Sequence, residues 1–306
     1  MEQEVLAQVR RIEKARGLDL TPLSLERLGG LTNRNFRLES PSGSFVLRLA
    51  GTGTGAYIDR AAEEVNARAA SQAGVNAEIL FFDARDGTML SRYLHNSRTM
   101  SMEAFRDLTA VKRAGVALRR LHVCGHPFQG RFDLFEQVDR YLAVLATKGA
   151  TLPNGYSAVQ GKAKAVRQAL TRHRLPLAPC HCDPLVENFL DTGDSMRIID
   201  FEYSGNNDPM WDLGDLSVEG GFCQEQDDEL LVGYFGAEPH PLDRARMTMY
   251  KAMCDLLWTL WGVVQHADGN PAEDFWAYAV GRQERCRELM ESAEFAGQLA
   301  VLQGDP

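Results

Sequence analysis

The spacing of apolar positions predicts strands in the first third of the chain and helices in most of the remainder. Residues 1–17 have the apolar spacing of an amphipathic helix. Between Leu25 and Leu49, short alternating runs separated by turn residues predict three strands. A helix is predicted over Ile58–Gln72, and two further strands over Ala77–Phe82 and Thr88–Tyr93. The first part of the chain should therefore fold as a small β-sheet with an inserted helix.

Helical periodicity dominates from about Met102 onward and is clear over residues 155–173. It is interrupted over Pro179–Tyr203, where two short apolar runs flank a turn at residues 192–194. These patterns predict an α+β fold of two lobes. Residues 1–95 would form a small antiparallel β-sheet lobe with one helix inserted between its strands, and residues 96–306 a larger, mainly α-helical lobe.

The composition is ordinary for a globular protein. Of 306 residues, 44% are hydrophobic and 25% are charged, and the chain is long enough to bury two apolar cores. It has no run of about 18 apolar residues and no basic segment followed by an apolar stretch near residue 1. We therefore expect a cytoplasmic protein without membrane insertion. The composition does not indicate an oligomeric state.

The distribution of charge is more informative than its total. A net charge of −9 at pH 7 argues against a general nucleic-acid-binding protein, because phosphate backbones bind to basic surfaces. Acidic and basic residues balance over residues 1–94, so the acidic excess lies in the rest of the chain. This distribution favours an anionic ligand near the first lobe and a cationic ligand in the second.

The six cysteines include no C-x-x-C pair and are interpreted as reduced thiols. Cys180, His181 and Cys182 are close enough in sequence to suggest a metal site. However, adjacent residues of an extended segment point to opposite faces, and no second cluster has zinc-finger spacing. A zinc site is therefore disfavoured.

The segment that carries the clearest chemistry runs from His181 to Asn188. Phosphoryl transfer needs a carboxylate to receive the proton of the attacking hydroxyl and oxygen ligands for Mg²⁺. His181, Asp183 and Asn188 have the His-x-Asp-x-x-x-x-Asn spacing of kinase-type catalytic loops. Asp183 is predicted as the catalytic base and Asn188 as a metal ligand, and Asp200, after the second apolar run, as another metal ligand. Taken singly, each of these acids would more simply be a cap or a solvated loop residue.

Together these motifs resemble choline and ethanolamine kinases and the related aminoglycoside phosphotransferases. The resemblance extends from about Leu28 to Arg282 and implies a protein-kinase-like two-lobe fold with ATP and Mg²⁺ as cofactors. The segment Leu28–Phe36 looks like the family's nucleotide loop, in which Gly30, Thr32 and Asn33 would meet the phosphates. No Walker A motif occurs in the chain.

The resemblance also implies roles for charged residues outside the catalytic loop. Arg48 occupies the position of the phosphate-binding lysine of protein kinases, and a guanidinium can bind phosphate oxygens in pairs. Glu63 would be its partner on the following helix. Without this pattern, Arg48 would be read as a surface residue of an edge strand. Glu202 would be a further metal ligand, and Asp212 would help to hold the catalytic loop.

The expected acceptor is a small amino alcohol bound by aromatic rings. Trp258 and Trp261 lie one helical turn apart and are similar to the choline kinase pair that binds a quaternary ammonium group, because ring faces attract cations. Such a pair would otherwise be ordinary core. The resemblance adds four residues to the pocket, with the carboxylate as the counter-charge: Tyr203, Glu219, Phe222 and Tyr278.

Two positions depart from the family pattern. Cys182 stands where choline kinases commonly carry asparagine, and Phe222 stands where the family pattern predicts a tyrosine. The sequence thus predicts an ATP-dependent phosphotransferase acting on choline or ethanolamine. Two alternatives stay open at this point: a kinase of another cationic alcohol, such as an aminoglycoside or a thiamine-like compound, and a catalytically silent pseudokinase that binds nucleotide.

Overall fold

A computed structural model of the chain describes residues 2–30, 33–51 and 58–304. The first lobe contains two helices and a five-stranded antiparallel sheet in the order β1-β2-β3-β5-β4. Its elements are α1 (Glu2–Arg16), β1 (Ser24–Arg27), β2 (Arg34–Ser40), β3 (Gly43–Leu49), α2 (Arg60–Gln72), β4 (Ile79–Asp83) and β5 (Thr88–Arg92). Every strand and both helices predicted for this lobe are confirmed.

Alternation along the central strands of this sheet builds the core of the small lobe. Phe45 and Leu47 of β3 are fully buried, as is Leu38 of β2, and α1 covers them with Val9 and Ile12. Because strand side chains alternate between faces, these positions leave the intervening residues on the opposite face. That second face of β3 carries Arg48 toward the other lobe.

The second lobe is mainly helical and contains two small antiparallel sheets, β6-β8-β9 and β7-β10. Its helices are α3 (Leu108–His122), α4 (Leu134–Lys148), α5 (Tyr156–Arg172), α6 (Met210–Gly220), α7 (Gln224–Phe235), α8 (Pro241–Ala267), α9 (Phe275–Glu291) and α10 (Ala293–Gln303). Its strands are β6 (Arg98–Thr99), β7 (Ala178–Cys180), β8 (Phe189–Asp191), β9 (Met196–Ile198) and β10 (Gly205–Asn207). The predicted α+β two-lobe architecture is confirmed, and the boundary at residue 95 stays a prediction.

The long helix α8 forms the centre of the second lobe. Most of its residues between Ala245 and Val263 are buried, and it packs against α6, α9 and α10. Near α8, the helices α3 and α7 cross closely at Gly115 and Gly233, where an added Cβ would overlap backbone atoms of the facing helix. No helix in the described part of the chain is long and apolar enough to cross a membrane.

The two lobes are joined through Asn66 on the buried face of α2. Its side-chain Nδ2 donates to the carbonyl oxygens of Gln129 at 3.1 Å and Ser204 at 3.0 Å, and its Oδ1 accepts from the Gln129 backbone N–H at 2.7 Å. A buried amide with its hydrogen bonds satisfied fixes local geometry. These bonds set α2 against the segment that follows Asp200.

Candidate active site

Asp212 on α6 holds the catalytic loop between β7 and β8. Its carboxylate accepts hydrogen bonds from the backbone N–H groups of His181 at 2.7 Å and Cys182 at 2.8 Å. The same side chain lies 3.0 Å from Nε2 of His122 on α3. Cys182 has a φ of +68°, a left-handed backbone conformation that residues other than glycine seldom adopt. The expected function of Asp212 in holding this loop is confirmed.

His181 connects the catalytic loop to the segment that bears Asp200. Its ring is fully buried, and Nε2 lies 2.8 Å from the Ile199 carbonyl oxygen. Burial lowers the pKa of this imidazole, which favours the neutral ring with Nε2–H donating. Burial also raises the pKa of the Cys180 and Cys182 thiols.

Asn188 and Asp200 lie at the two ends of the hairpin formed by β8 and β9, and Asp183 lies in the catalytic loop next to Asn188. Asn188 ends a single 3₁₀ turn, and its Nδ2 donates to the Asp183 carbonyl oxygen at 3.2 Å. The Ile199 backbone N–H donates to the Asn188 carbonyl oxygen at 2.9 Å, next to the pairing of β8 with β9. Asp200 follows directly, with a φ of +67°. Short-range backbone hydrogen bonds therefore place the three predicted residues beside one another.

The carboxyl groups of Asp183 and Asp200 both have raised pKa values, because nearby cations do not offset burial and the neighbouring acids. Desolvation, followed by the negative charges of Glu219 and Asp200, raises the pKa of Asp183 well above its usual range. Desolvation and Glu202 raise the pKa of Asp200 to about 7, against the opposing effect of Arg48. Oδ1 of Asp200 is buried and has no hydrogen-bond partner among the described residues. A buried carboxylate oxygen without a hydrogen bond is the kind of group that a hard divalent cation such as Mg²⁺ binds.

Arg48 lies on the central strand β3 and is buried, so the interpretation as an edge-strand surface residue was wrong. It forms an ion pair with Glu63, which confirms the predicted partnership. It also donates to the Gly87 carbonyl oxygen at 3.2 Å, and its Nη1 lies 3.6 Å from Asp200 Oδ1. A guanidinium fixed by two partners is preorganised to meet phosphate oxygens.

Glu202 contacts the small lobe. Its Oε2 accepts from Arg60 Nη1 at 3.1 Å and from Asn33 Nδ2 at 3.0 Å. Arg60 lies on α2 and also pairs with Glu63 at 2.6 Å. Glu202 therefore joins α2 and the nucleotide loop to the second lobe, and its predicted function as a metal ligand stays a prediction.

The loop between β1 and β2 requires glycine at position 30. Gly30 has a φ of +139°, and a Cβ there would lie 2.6 Å from the Asn33 carbonyl oxygen. Asn33 is buried, and its Oδ1 accepts from the Gly51 backbone N–H at 3.3 Å. Thr32, which the sequence assigns to nucleotide binding, lies outside the described residues.

Four predicted aromatic residues form one continuous cluster of rings. Centroid distances are 6.1 Å from Tyr203 to Trp258, 6.2 Å from Trp258 to Trp261 and 5.7 Å from Trp261 to Tyr278, with the rings edge to face. Phe275 at the start of α9 adds a fifth ring, 5.5 Å from Trp261, which the sequence interpretation missed. Its position three residues before Tyr278, on the same helix face, was the available signal.

Phe222 does not join this cluster in the described part of the chain. Its ring packs against Phe105 at a centroid distance of 5.4 Å. The reason is local: α6 ends at Gly221, which has a φ of +61°, and the Phe222 backbone N–H turns back to the Ser217 carbonyl oxygen at 2.9 Å. This helix end directs Phe222 toward a different part of the core from Glu219.

Glu219 is partnered by a cation that the sequence interpretation missed. Arg282 of α9 lies 2.5 Å from Glu219 and 3.2 Å from Asp255 of α8, and its guanidinium lies 4.8 Å from the Tyr278 ring centroid. Asp215 is a further buried acid nearby, with Cys254 donating to it. Asp212, Asp215 and Glu219 have the spacing of one helix face, which was the signal for Asp215.

Comparison with known proteins decides the family. The model of the phosphotransferase enzyme family matches residues 24–250. The chain belongs to this family. It is 30% identical to Protein LicA of Haemophilus influenzae over 275 residues, covering 86% of this chain and 79% of LicA.

Two crystal structures resemble this phosphotransferase over nearly its whole length. A choline/ethanolamine kinase family protein from Mesorhizobium loti is 51% identical, covers 99% of each chain and has a TM-score of 0.90. Choline kinase LicA from Streptococcus pneumoniae is 26% identical, with 93% of this chain and 99% of that chain covered and a TM-score of 0.77. The predicted resemblance to choline and ethanolamine kinases and the kinase-like fold are confirmed.

Proposed function

We propose that this phosphotransferase transfers the γ-phosphoryl group of ATP to the hydroxyl of choline or ethanolamine, with Mg²⁺ as cofactor. The observation that carries the proposal is one site in which the Asp183 loop, a set of excess carboxylates and an aromatic cluster occur together. Arg282 connects the rings to the carboxylates, because it lies 4.8 Å from the Tyr278 ring centroid and pairs with Glu219. Burial raises the pKa of the Tyr278 phenol against the effect of Arg282, and Glu219 and Asp183 raise it further. A catalytic acid beside cation-binding rings fits a cationic alcohol.

Asp183 is the proposed base. The acceptor hydroxyl would give its proton to the Asp183 carboxylate while its oxygen forms the new bond to the γ-phosphorus in line with the breaking bond to ADP. In the free protein, burial favours the protonated form of Asp183. Arrival of a cationic acceptor supplies the positive charge that favours ionisation. No phosphorylated enzyme intermediate is required.

The phosphate end of the site would be formed by the small lobe. Arg48, fixed by Glu63, would bind phosphate oxygens, and Gly30, Thr32 and Asn33 would approach the nucleotide through the loop between β1 and β2. Asn188, Asp200 and Glu202 would hold Mg²⁺. When bound, this ion neutralises charge on the transferring phosphoryl group.

The acceptor end would be formed by Tyr203, Trp258, Trp261 and Tyr278. Ring faces attract an ammonium group, and the acidic surroundings of Asp183 and Glu219 add a negative potential. A small amino alcohol uses all of these groups, whereas a polyhydroxylated aminoglycoside needs more hydrogen-bonding partners. The site of action would be cytoplasmic, where ATP is available, and neither a nucleic-acid partner nor a particular oligomeric state is implied.

A coupled assay of ADP release tests this function. Purified protein is incubated with Mg-ATP and, separately, with choline, ethanolamine, thiamine or kanamycin. We expect turnover with choline or ethanolamine and at most slow turnover with the other two. Turnover with thiamine or kanamycin alone would show that the acceptor is a cationic alcohol of another class. Tight nucleotide binding without turnover of any alcohol would identify a silent pseudokinase.

A further inference from the structure

Asp215 is a buried acid with one oxygen left without a hydrogen bond. Its residue exposure is 1%, and Cys254 Sγ of α8 donates to its Oδ1 at 2.9 Å. Its Oδ2 is buried and has no hydrogen-bond partner in residues 2–30, 33–51 and 58–304. Leaving a buried polar oxygen unsatisfied is destabilising, so a structural function alone does not account for Asp215.

The unsatisfied oxygen lies at the acceptor end of the site. Oxygens of Asp215 and Glu219 and the Cys254 sulfur lie within 4.8 Å of one another. Glu219 pairs with Arg282, whose guanidinium packs over the Tyr278 ring. Desolvation, Glu219 and Asp183 all raise the pKa of Asp215 well above its usual range. Asp215 thus lies beside Glu219, whose partner Arg282 packs over Tyr278, and forms no ion pair with a described residue.

The neighbouring cation is already committed to other acids. Arg282 is held by Glu219 and also lies 3.2 Å from Asp255, which is paired in addition with Arg285 at 2.7 Å. A group that satisfies the ionised Asp215 carboxylate therefore has to arrive with the ligand, and it has to be an N–H or O–H donor. A positively charged donor would also favour ionisation of Asp215, whose pKa is raised in the free protein.

Aromatic rings and a carboxylate recognise different parts of an ammonium group. Ring faces attract the positive charge whether the nitrogen carries methyl groups or hydrogens, whereas a carboxylate gains a charge-assisted hydrogen bond only from N–H. Choline has no N–H. Protonated ethanolamine has three, and its N-methyl and N,N-dimethyl derivatives have two and one.

We propose that Asp215 is a specificity-determining residue that accepts a hydrogen bond from an N–H of the acceptor's ammonium group and so favours amino alcohols with N–H over choline. This inference rests on the proposed kinase function. In this inference, the aromatic cluster recognises the positive charge of the ammonium group, and Asp215 distinguishes ammonium groups by the number of N–H donors that they carry.

The test is a kcat/KM series for the four acceptors with wild type and Asp215→Asn. In the wild type, kcat/KM should increase from choline to ethanolamine. In the variant, kcat/KM for ethanolamine should fall about 10- to 100-fold, the range for loss of a hydrogen bond to a charged group, and that for choline should change less than about threefold. The two partly methylated acceptors should fall by intermediate amounts. Because both ends of the series are measured on one preparation, their ratio does not depend on the fraction folded.

A matched control uses a buried acid outside the site. Asp227 of α7 is hydrogen-bonded by Ser217 at 2.5 Å and paired with Lys251 at 2.5 Å, and Asp227→Asn removes the same charge. This variant should leave the ratio of the four kcat/KM values unchanged.

The outcomes distinguish failure of the inference about Asp215 from failure of the proposed kinase function. An equal loss for all four acceptors, or no change, in Asp215→Asn would overturn the function of Asp215 but leave the kinase intact. The wild-type order alone decides the matter if the variant does not fold, since highest activity with choline would also overturn it. Absence of wild-type turnover with all four would overturn the proposed function and this inference with it.

Discussion

Two buried arginines, Arg48 and Arg282, mark opposite ends of the candidate site. Their side chains are 3% and 6% exposed, and each forms an ion pair with a glutamate from a neighbouring helix. The surroundings differ. Near Arg48, a second cation, Arg60, shares Glu63 and reaches Glu202. Near Arg282, a second cation, Arg285, pairs with Asp255. However, Asp215 forms no ion pair with a described residue, whereas near Arg48 each of Glu63, Asp200 and Glu202 contacts an arginine.

This difference indicates that the two ends of the candidate site would bind ligands of opposite charge. The end at which every acid contacts an arginine would suit an anionic triphosphate, and the end with an unpaired carboxylate and aromatic rings would suit a cation. Asp200 lies 3.6 Å from Arg48, and Asp183 is within the electrostatic influence of Arg282. The same side chain, arginine, would therefore bind ligand at one end and balance structural charge at the other.

The largest expected effect is at the point where the two ends meet. Asp183→Asn should lower kcat by about 10²- to 10⁴-fold, because the acceptor hydroxyl loses its general base. Its melting temperature should not decrease, since the substitution removes a desolvated acid. Steady-state kinetics and thermal unfolding measure both quantities. Turnover within a few-fold of wild type would contradict the assignment of Asp183.

Arg48→Met tests the anionic end. We expect about a 100-fold lower kcat/KM for ATP, the size of loss seen when one preorganised donor to a developing negative charge is removed. The KM for the acceptor should change little. An effect on the acceptor KM as large as that on ATP would break the proposed separation of the two ends.

Arg282→Met is the matched change at the other end. Removing one partner of a buried ion pair leaves Glu219 uncompensated and should lower the free energy of unfolding by about 3 kcal/mol. Denaturant unfolding measures this value. Under solution conditions in which the variant is folded, KM for ATP should be unchanged. A stable variant with weakened ATP binding would show that Arg282, like Arg48, serves the nucleotide.

The sequence predicted the parts of the site that depend on short stretches of chain. The catalytic loop and the hairpin from Asn188 to Asp200 are local, so their spacing specified their geometry. The pairing of Arg48 with Glu63 followed from the resemblance. Asp215 and Arg282 were missed because they meet through the packing of α6, α8 and α9, and helix packing leaves no short motif in a sequence.

Phe222 shows a position that the resemblance specified less well, since the resemblance suggested that Phe222 completes the acceptor pocket together with Glu219. The left-handed helix end at Gly221 reverses the chain and places Phe222 against Phe105. A glycine after a helix is a recognisable stop signal, but the direction of the chain beyond it depends on the core into which it packs.

The aromatic cluster offers a smaller effect that separates these two regions. Trp261→Ala should raise the KM for choline or ethanolamine about 10-fold, the upper range for loss of a desolvated cation–π contact, without changing the KM for ATP. Phe222→Leu serves as the control and should leave both KM values near wild type. An increase in acceptor KM in Phe222→Leu would show that Phe222 contributes to acceptor binding.

A change of pH tests the acids that lie near the two ends. Because the pKa of Asp200 is raised from 3.8 to about 7 in the folded protein, the folded state binds more protons than the unfolded state between these values. Stability should therefore decrease as pH rises from about 4 to 8. Melting temperatures at pH 5 and 8 measure this decrease, which Mg²⁺ or Asp200→Asn should reduce. A decrease that neither change reduces would assign the pH dependence to other groups.

Phosphorus NMR of the reaction mixture tests the central claim most directly. Wild-type protein with Mg-ATP and choline or ethanolamine should convert ATP into equal amounts of ADP and a phosphomonoester of the amino alcohol, and Asp183→Asn should produce neither at a comparable rate. Formation of ADP and inorganic phosphate without the phosphomonoester would contradict the account.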